Sequence, residues 1–271
     1  MKSQARAIVQ NATTPHQAQL LLREYLQHLI LRQLFEQKIL HKWIFHGGTA
    51  LRMIYGVNRF SEDLDFHLLA PDPGFSLINP IETLRQNLVL QGYRISEPRI
   101  DNKIVKSVFI RFEDLLFEFG LSPNSNSKLS IKIELDTSPP DGFQYEKKLV
   151  NRYFPFSVNV HNLQTFLAGK IHALLQRPYI KGRDYYDLIF ILSRWPGTTP
   201  NISYLQNALN QTHYQGEKIT LNNWRNILIK IGQNTDWNAV IRDVEPFLES
   251  KTDHQLLTLE NLLIVLKYNL H

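Results

Sequence analysis

The sequence predicts an α+β protein in which a mixed sheet with flanking helices is followed by a bundle of helices. Two observations support this prediction. Before residue 160, short apolar or alternating segments of strand length lie among helical segments. After Asn162 this alternation stops, and only segments with helical spacing follow. We therefore expect two domains, residues 1–160 and 161–271.

The elements of the N-terminal half follow from caps, turn residues and periodicity. Thr13-Thr14-Pro15 begins a helix that extends to Gln37, because a capping hydroxyl followed by proline fits a first turn. Two further helices are expected at 49–55 and 81–91. Strands are expected at 43–45, 63–69, 93–98, 104–112, 129–136, 146–150 and 156–160.

The C-terminal part is expected to contain helices alone. Its first two helices are separated by the Pro- and Gly-containing segment 177–182. The predicted helices span 163–176, 183–195, 201–211, 220–232, 236–248 and 255–269.

The composition is ordinary for a globular protein, with a basic charge balance. Of 271 residues, 43% are hydrophobic and 20% are charged, the net charge is +5, and the pI is about 9.3. That balance fits a polyanionic partner such as RNA or a nucleotide. No apolar run reaches the roughly 18–20 residues of a membrane span, and the first residues lack the apolar stretch of a signal peptide. Cysteine is absent, which excludes disulfides and thiolate zinc sites. We expect a cytoplasmic protein without membrane association.

A Gly-Gly-Thr turn stands between the predicted strand 43–45 and the predicted helix 49–55. Gly47 and Gly48 let the backbone approach a phosphate closely, and the helix that follows offers free N–H groups and its positive dipole end. The alternative is a tight turn in which Thr49 is only a cap. The chain lacks the pattern of a P-loop. It also lacks the G-x-S-x-G elbow that an esterase with this His-Gly-Gly sequence would need.

Ser61, Asp63 and Asp65 alternate into the next predicted strand. Successive side chains of a strand point to opposite faces, so we expect Asp63 and Asp65 on one face, with Ser61 beside them if the strand begins early enough. Two neighbouring carboxylates repel each other unless a cation lies between them, and Mg²⁺ is the simplest such cation. The alternative is a capping Asp beside a solvated strand edge, although strands are depleted in Asp.

The predicted strand 129–136 carries a further set of charges. Lys132, Glu134 and Asp136 share one face by alternation. If this strand lies beside the first acidic one, Glu134 or Asp136 completes a cluster of three carboxylates. Such clusters support two-metal nucleotide transfer. The alternative is an exposed amphipathic strand.

The segment from Lys170 to Leu188 combines a lysine in an apolar helix with acidic residues in the next helix. Lys170 either extends its ammonium group to the surface or meets an anion. Asp184 lies near a helix N-terminus, where it could serve only as a cap. Spacing alone leaves structural and functional roles open here.

Taken in order, these segments resemble the AbiEii/MenT-like nucleotidyltransferase toxin family, which belongs to the DNA polymerase β-like nucleotidyltransferase superfamily. Each segment is short, but their joint occurrence over residues 46–188 is specific. The matching pieces are Gly47-Gly48-Thr49-Ala50-Leu51, Arg59-Phe60-Ser61-Glu62-Asp63-Leu64-Asp65-Phe66, Lys132-Ile133-Glu134, Lys170, and Lys181-Gly182-Arg183-Asp184-Tyr185-Tyr186-Asp187-Leu188.

The resemblance implies a polymerase β-like core, a C-terminal helical domain that contributes Lys170 and Asp184 to the site, and Mg²⁺ as the cofactor. By position, Asp63, Asp65 and Glu134 would bind the metal, with Asp136 as an alternative to Glu134. Lys170 would contact phosphate, and Asp184 would position it or take part in proton transfer. The implied catalytic set is Asp63, Asp65, Glu134, Lys170 and Asp184. The implied nucleotide-binding set is Gly47, Gly48, Thr49, Arg59, Ser61 and Lys170.

The resemblance further implies the toxin of an AbiE-like toxin–antitoxin pair, which transfers nucleotides from an NTP to an RNA acceptor. The implied acceptor is the 3′ end of tRNA, and the implied partner is an AbiEi-like antitoxin. Two alternatives remain open at this point. One is a transferase that modifies a small molecule or a protein hydroxyl, and the other is a nucleotide-binding module without catalysis.

Overall fold

The computed structural model describes residues 1–267. The last two residues of the helix expected at 255–269 lie outside the described residues. The chain divides into two compact units. The first comprises Met1–Ile54, Phe60–Pro139 and Lys147–Val160, and the second comprises Tyr55–Arg59, Pro140–Glu146 and the chain from His161 onward.

A seven-stranded mixed sheet, whose strands lie mainly in the first unit, positions the acidic residues. Its strand order is β3-β4-β5-β2-β1-β7-β6. The strands are β1 (Trp43–His46), β2 (Leu64–Leu68), β3 (Ile100–Asp101), β4 (Val105–Phe112), β5 (Leu129–Asp136), β6 (Tyr145–Val150) and β7 (Phe156–His161). The helices before residue 160 are α1 (Lys2–Gln10), α2 (Pro15–Glu36), α3 (Gly47–Tyr55), α4 (Ile78–Leu90) and α5 (Leu115–Glu118).

At strand β5 the sheet has one apolar face and one polar face. Strand β5 alternates strictly between buried and half-buried residues, and Ile131, Ile133 and Leu135 are fully buried. The long helix α2 contacts β5 and α4. It begins at Pro15, and the Thr14 side chain accepts a hydrogen bond from the backbone N–H of Gln17, as the sequence predicts. Burial of the apolar face leaves the polar side chains on the opposite face of the sheet.

The second unit is a helical bundle. Its α-helices are α6 (Leu163–Gln176), α7 (Gly182–Arg194), α8 (Ile202–Gln211), α9 (Trp224–Gln233), α10 (Trp237–Val244) and α11 (Leu259–Lys267). The Asn162 side chain caps α6 by accepting a hydrogen bond from Thr165 N–H. A Cβ at Gly182 would lie 2.0 Å from the Val240 carbonyl oxygen, so the start of α7 and helix α10 can approach closely only because this residue is glycine.

Several predicted boundaries differ from those observed. The strand expected at 93–98 is wrong, because this segment makes only an isolated bridge between Ile95 and Phe112. Pro98, which has no N–H to donate, stops the pairing from continuing. The helix expected at 236–248 ends at Val244 and passes into a 3₁₀ turn at Glu245–Phe247 that contains proline. Helices α1 and α5 and the two-residue strand β3 were not predicted.

Candidate active site

The Gly47-Gly48 turn lies directly against one of the acidic side chains. Strand β1 ends at His46, which stands opposite Asp65 in the antiparallel pairing with β2. Gly47 then begins α3 with a φ of +75°. A Cβ on Gly47 would lie 2.0 Å from Oδ2 of Asp65. The glycine is therefore required both by its backbone conformation and by the space that the carboxylate occupies.

The pairing of β2 with β5 brings two predicted metal ligands side by side. These strands are parallel, with Asp65 opposite Glu134 and His67 opposite Asp136. Opposite residues of paired strands point to the same face, and neighbouring strands lie roughly 4.7–4.9 Å apart. Asp63 lies one residue before β2 begins at Leu64, so the strand does not extend back to it or to Ser61 as the sequence suggested.

The ammonium group of Lys132 lies close to these carboxylates. Nζ of Lys132 lies 2.5 Å from Oε1 of Glu134. The hydrogen bond to Glu134 raises the pKa of Lys132, and the negative charges of Glu134, Asp63 and Asp65 raise it further. We call Asp63, Asp65 and Glu134, with Lys132, the acidic face. Asp136 is a separate group, because its carboxylate accepts the Ser138 N–H at 2.8 Å and burial raises its pKa.

The turn and the acidic face are held by hydrogen bonds to the backbone. The Thr49 hydroxyl is buried and donates to the carbonyl oxygen of Asp63. The Gln27 side chain donates to the carbonyl oxygen of Ser61 at 3.0 Å. Thr49 therefore fixes the start of α3 to the residue before β2, and Gln27 fixes the chain just before it.

Helix α3 is also anchored by a buried ion pair. Arg52, on its second turn, contacts the carboxylate of Glu24, whose side chain is 2% exposed. The Arg52 guanidinium carbon lies 4.0 Å from the centroid of the Phe60 ring. These contacts fix the direction of α3, and with it the N–H groups at its first turn.

In the second unit, Lys170 lies between two carboxylates. Its Nζ is 2.9 Å from Oδ1 of Asp184 and 2.5 Å from Oδ2 of Asp187, and its side chain is 12% exposed. Burial alone would lower the pKa of Lys170, but the two carboxylates outweigh that effect and raise it above its usual value. Burial opposes ionisation of Asp184, yet the positive charges of Lys170 and Arg177 outweigh it and lower its pKa.

Arg59 is part of the same buried group. Its Nε and Nη2 each donate to the Asp187 carboxylate at 2.7 Å, and both residues are almost fully buried. We call Arg59, Lys170, Asp184 and Asp187 the buried ion cluster. The Arg59 guanidinium is thus paired with Asp187 within the second unit. The resemblance, in contrast, implied that Arg59 binds the nucleotide.

A small cavity of about 160 Å³ lies beside the buried ion cluster. Arg177, Lys181 and Asp184 contribute to its lining, together with Tyr179. Burial, followed by the charges of Arg177 and Arg183, lowers the pKa of Lys181. Nε of Arg177 lies 3.0 Å from Oδ2 of Asp184 without a hydrogen bond between them. The cavity therefore has more positive than negative charge at its wall.

The donor chemistry of the acidic face suits Mg²⁺ better than a softer metal. All three side chains offer carboxylate oxygens, and Mg²⁺ is usually held by one or two carboxylates together with substrate phosphates. Among residues 1–267, no group of three His, Asp or Glu side chains has the arrangement of a complete metal site. The acidic face therefore suits a Mg²⁺ ion whose coordination is completed by phosphate oxygens of a substrate.

Sequence reasoning did not identify the roles of Arg52, Glu24 and Arg177. Glu24 and Arg52 are 28 positions apart and carry no motif, so only folding joins them. Asp187 belongs to the same motif as Asp184, but its pairing with Arg59 spans 128 positions. No local signal in the sequence marks such contacts.

The fold resembles solved structures of low sequence identity. JHP933 of Helicobacter pylori is 19% identical with a TM-score of 0.57, and the match covers 92% of this chain and 91% of that chain. A second H. pylori protein, provisionally described as a nucleotidyltransferase, is 17% identical with a TM-score of 0.54, covering 89% and 92%. These similarities confirm the predicted fold class. No protein of curated function matches the sequence.

The family assignment rests on a match over most of the chain. A family model described as nucleotidyl transferase AbiEii toxin, type IV toxin–antitoxin system, matches residues 29–259. This range includes every segment on which the resemblance was based. Among the described helices, none combines the length and apolar character needed to cross a membrane. The chain therefore belongs to the AbiEii family of nucleotidyltransferase toxins from type IV toxin–antitoxin systems.

Proposed function

We propose that this enzyme transfers a nucleotide from an NTP to the 3′ end of an RNA, with tRNA as the acceptor. The observation that carries the proposal is the placement of Asp65 directly beside Glu134 on parallel strands, with Gly47 against the Asp65 carboxylate. This arrangement puts a phosphate-binding turn next to a pair of metal-binding oxygens. The net charge of +5 supports a polyanionic acceptor over a small neutral one.

Mg²⁺ would be held by Asp63, Asp65 and Glu134, and when bound it would polarise the phosphate and lower the pKa of the attacking hydroxyl. Lys132, which pairs with Glu134, would then be released toward the phosphates. Asp136 is less suited to this role, because it stands opposite His67 and already accepts a hydrogen bond from Ser138.

The triphosphate would lie against Gly47 and Gly48, where the first N–H groups of α3 are free to donate. Ser61 would add a hydroxyl. Thr49 and Arg59 would act through their neighbours, because the Thr49 hydroxyl is engaged with Asp63 and the Arg59 guanidinium with Asp187.

Lys170 would contact phosphate, and Asp184 would hold its ammonium group in position. The support for a phosphate here is the excess of cations around the nearby cavity, where Arg177 and Lys181 both contribute. A half-buried ammonium beside guanidinium groups is stabilised by an anion. The phosphate-binding role of Lys170 is the one that the resemblance to the family implies for this position.

The transfer itself would be an in-line displacement. The acceptor 3′ oxygen forms a bond to the α-phosphorus, the bond from that phosphorus to the β-bridging oxygen breaks, and pyrophosphate leaves. The hydroxyl proton passes to a carboxylate. We assign this role to Glu134, because of the three carboxylates it lies on the strand farthest from the Gly47 turn. Modification of tRNA would halt translation in the cytoplasm, and an AbiEi-like antitoxin would be the cognate partner.

The test is a transfer assay with Mg²⁺, each labelled NTP in turn, and total tRNA. We expect label at the tRNA 3′ end, its loss when EDTA replaces Mg²⁺, and a decrease of about a thousandfold in the Asp65→Asn variant, because removing a metal ligand costs several kcal/mol of transition-state stabilisation. The matched control is Asp101→Asn, which removes an exposed carboxylate on β3.

Three outcomes would contradict the proposal. The first is no transfer with any NTP, and the second is unchanged transfer by Asp65→Asn. The third is label found in a small molecule or in a protein instead of RNA, which would favour a different hydroxyl acceptor.

A further inference from the structure

The polar face of the sheet continues beyond the carboxylates to strand β4. Strand β4 pairs antiparallel with β5, with Ser107 opposite Glu134 and Phe109 opposite Lys132. In β4 the residues Val105, Ser107, Phe109 and Arg111 are exposed or half-buried, and those between them are buried. Phe109 therefore lies on the same face of the sheet as Glu134, one strand further from the Gly47 turn.

Phe109 is an exposed aromatic ring with two cations near it. Its side chain is on the polar face, and the residue is 38% exposed. The guanidinium carbon of Arg111 lies 5.1 Å from the ring centroid, and Nζ of Lys132 lies 5.9 Å from it. The ring can thus be reached from solvent, and the two cations beside it attract phosphate.

We infer that Phe109, with Arg111 and Lys132 beside it, is a stacking platform for a nucleobase of the acceptor RNA. Proteins that bind single strands combine an aromatic ring for base stacking with basic groups for the backbone. Both components are present here, next to the carboxylates. The inference rests on the proposed function, since it assigns the acceptor side of the same site.

The position of Phe109 favours the acceptor over the NTP. The sheet order is β4-β5-β2-β1 in this region, so the phosphate-binding turn at the end of β1 and Phe109 on β4 lie on opposite sides of Asp65 and Glu134. Diagonal neighbours such as Glu134 and Phe109 are separated by about 7–8 Å, which is roughly two base-stacking steps of 3.4 Å. The stacked base would thus belong to one of the last nucleotides of the acceptor.

The inference is tested by RNA binding without NTP, which requires no turnover. Fluorescence anisotropy of a labelled single-stranded RNA oligonucleotide is compared between the wild-type protein, Phe109→Ala and Phe109→Trp. We expect Phe109→Ala to weaken RNA binding about tenfold and Phe109→Trp to retain it, because stacking depends on the aromatic face. Arg111→Gln should reduce the dependence of binding on salt by about one phosphate contact. The control is Phe117→Ala, a 51% exposed phenylalanine on α5.

Steady-state transfer then separates the two possible sources of the base. Phe109→Ala should raise KM for the RNA acceptor and leave KM for the NTP unchanged. A raised KM for the NTP alone would assign the platform to the NTP and overturn the inference, as would RNA binding that Phe109→Ala does not change. If RNA binding depends on Phe109 but the wild-type protein transfers no nucleotide, the platform stands and the proposed function fails.

Discussion

The acidic face and the buried ion cluster contain similar side chains but differ in their burial. In the first unit, Asp63, Asp65 and Glu134 are half-buried, and Lys132 pairs with Glu134. In the second unit, Asp184 and Asp187 are almost fully buried. They share Lys170, and each also contacts a guanidinium group within 3.0 Å. Water and ions therefore reach the first group but not the second.

This difference indicates where the loss of a charge is softened by solvent and where it is not. A half-buried carboxylate keeps part of its hydration, and a cation that binds there adds stability. A buried cluster tolerates its desolvation only while every partner is present. Substitutions in the buried ion cluster should therefore cost more stability than substitutions in the acidic face, and four predictions probe the two regions.

The largest effect is expected from Asp187→Ala. This change leaves Arg59 without its paired carboxylate and removes one of two carboxylates from Lys170, all in the interior. We expect a loss of about 3–5 kcal/mol in the free energy of unfolding of the second unit, measured by urea denaturation. Arg94→Ala, which breaks an exposed pair with Asp114, should cost less than about 1 kcal/mol. Similar losses of unfolding free energy in Asp187→Ala and Arg94→Ala would contradict the greater importance of the buried pair.

Gly47→Ala should reduce activity far more than its effect on folding explains. The added Cβ would displace the Asp65 carboxylate, and a shift of about 1 Å at a catalytic group can cost about a hundredfold in rate. The matched control is Gly56→Ala, because Gly56 has nearly the same φ, +74°, with nothing within 4 Å of the added atom. Both should lose about 1–2 kcal/mol of stability from the backbone conformation. Equal activity in the two variants would contradict the role of Gly47.

The stability of the first unit should fall in mild acid because of His67. This residue is 2% exposed, and burial, with a smaller effect of His46, lowers its pKa to about 3. The unfolded chain has the ordinary value of 6.5, so between pH 6.5 and 3 it binds one more proton than the folded protein. Unfolding is therefore favoured as the pH falls, by about 2 kcal/mol at pH 5 relative to pH 8.

His67→Asn should flatten this dependence, measured as urea unfolding at pH 5 and pH 8. The control His16→Asn changes an exposed histidine and should leave the dependence intact. A residual slope is expected from His28, whose pKa burial also lowers. An unchanged slope in His67→Asn would mean that the sheet beside the acidic face is more open to water than its burial indicates.

The smallest effect is expected for the stability of Asp65→Asn. Asp65 is half-buried, and Asn has nearly the same shape, so the free energy of unfolding should change by less than about 1 kcal/mol. Thermal denaturation without Mg²⁺ measures this, and addition of Mg²⁺ with NTP should stabilise the wild-type protein more than the variant. A large loss of stability in Asp65→Asn would show that Asp65 contributes to folding as strongly as the carboxylates of the buried ion cluster.

The sequence predicted most elements because their signals are local. The cap at Thr14, the alternation in 129–136 and the glycine turn each depend on a few adjacent residues, and all three are confirmed. The segment 93–98 has residues typical of a strand, but a strand also needs continuous pairing with a neighbour. Pro98 has no N–H to donate, so the pairing does not continue past it. Boundaries differ by a few residues where a helix passes into a 3₁₀ turn.

What the sequence by itself determined is the fold class and the nucleotidyltransferase family, because motifs are patterns of adjacent positions. The same motifs supplied the candidate site residues, which stay a prediction. Tertiary structure decided which of them meet. The register of β2 with β5 put Glu134, and not Asp136, opposite Asp65. Folding also directed Arg59 to Asp187 and placed Phe109 beside Lys132. Strand register and the pairing of buried charges depend on how distant segments pack together. The residues of one segment alone do not determine that packing.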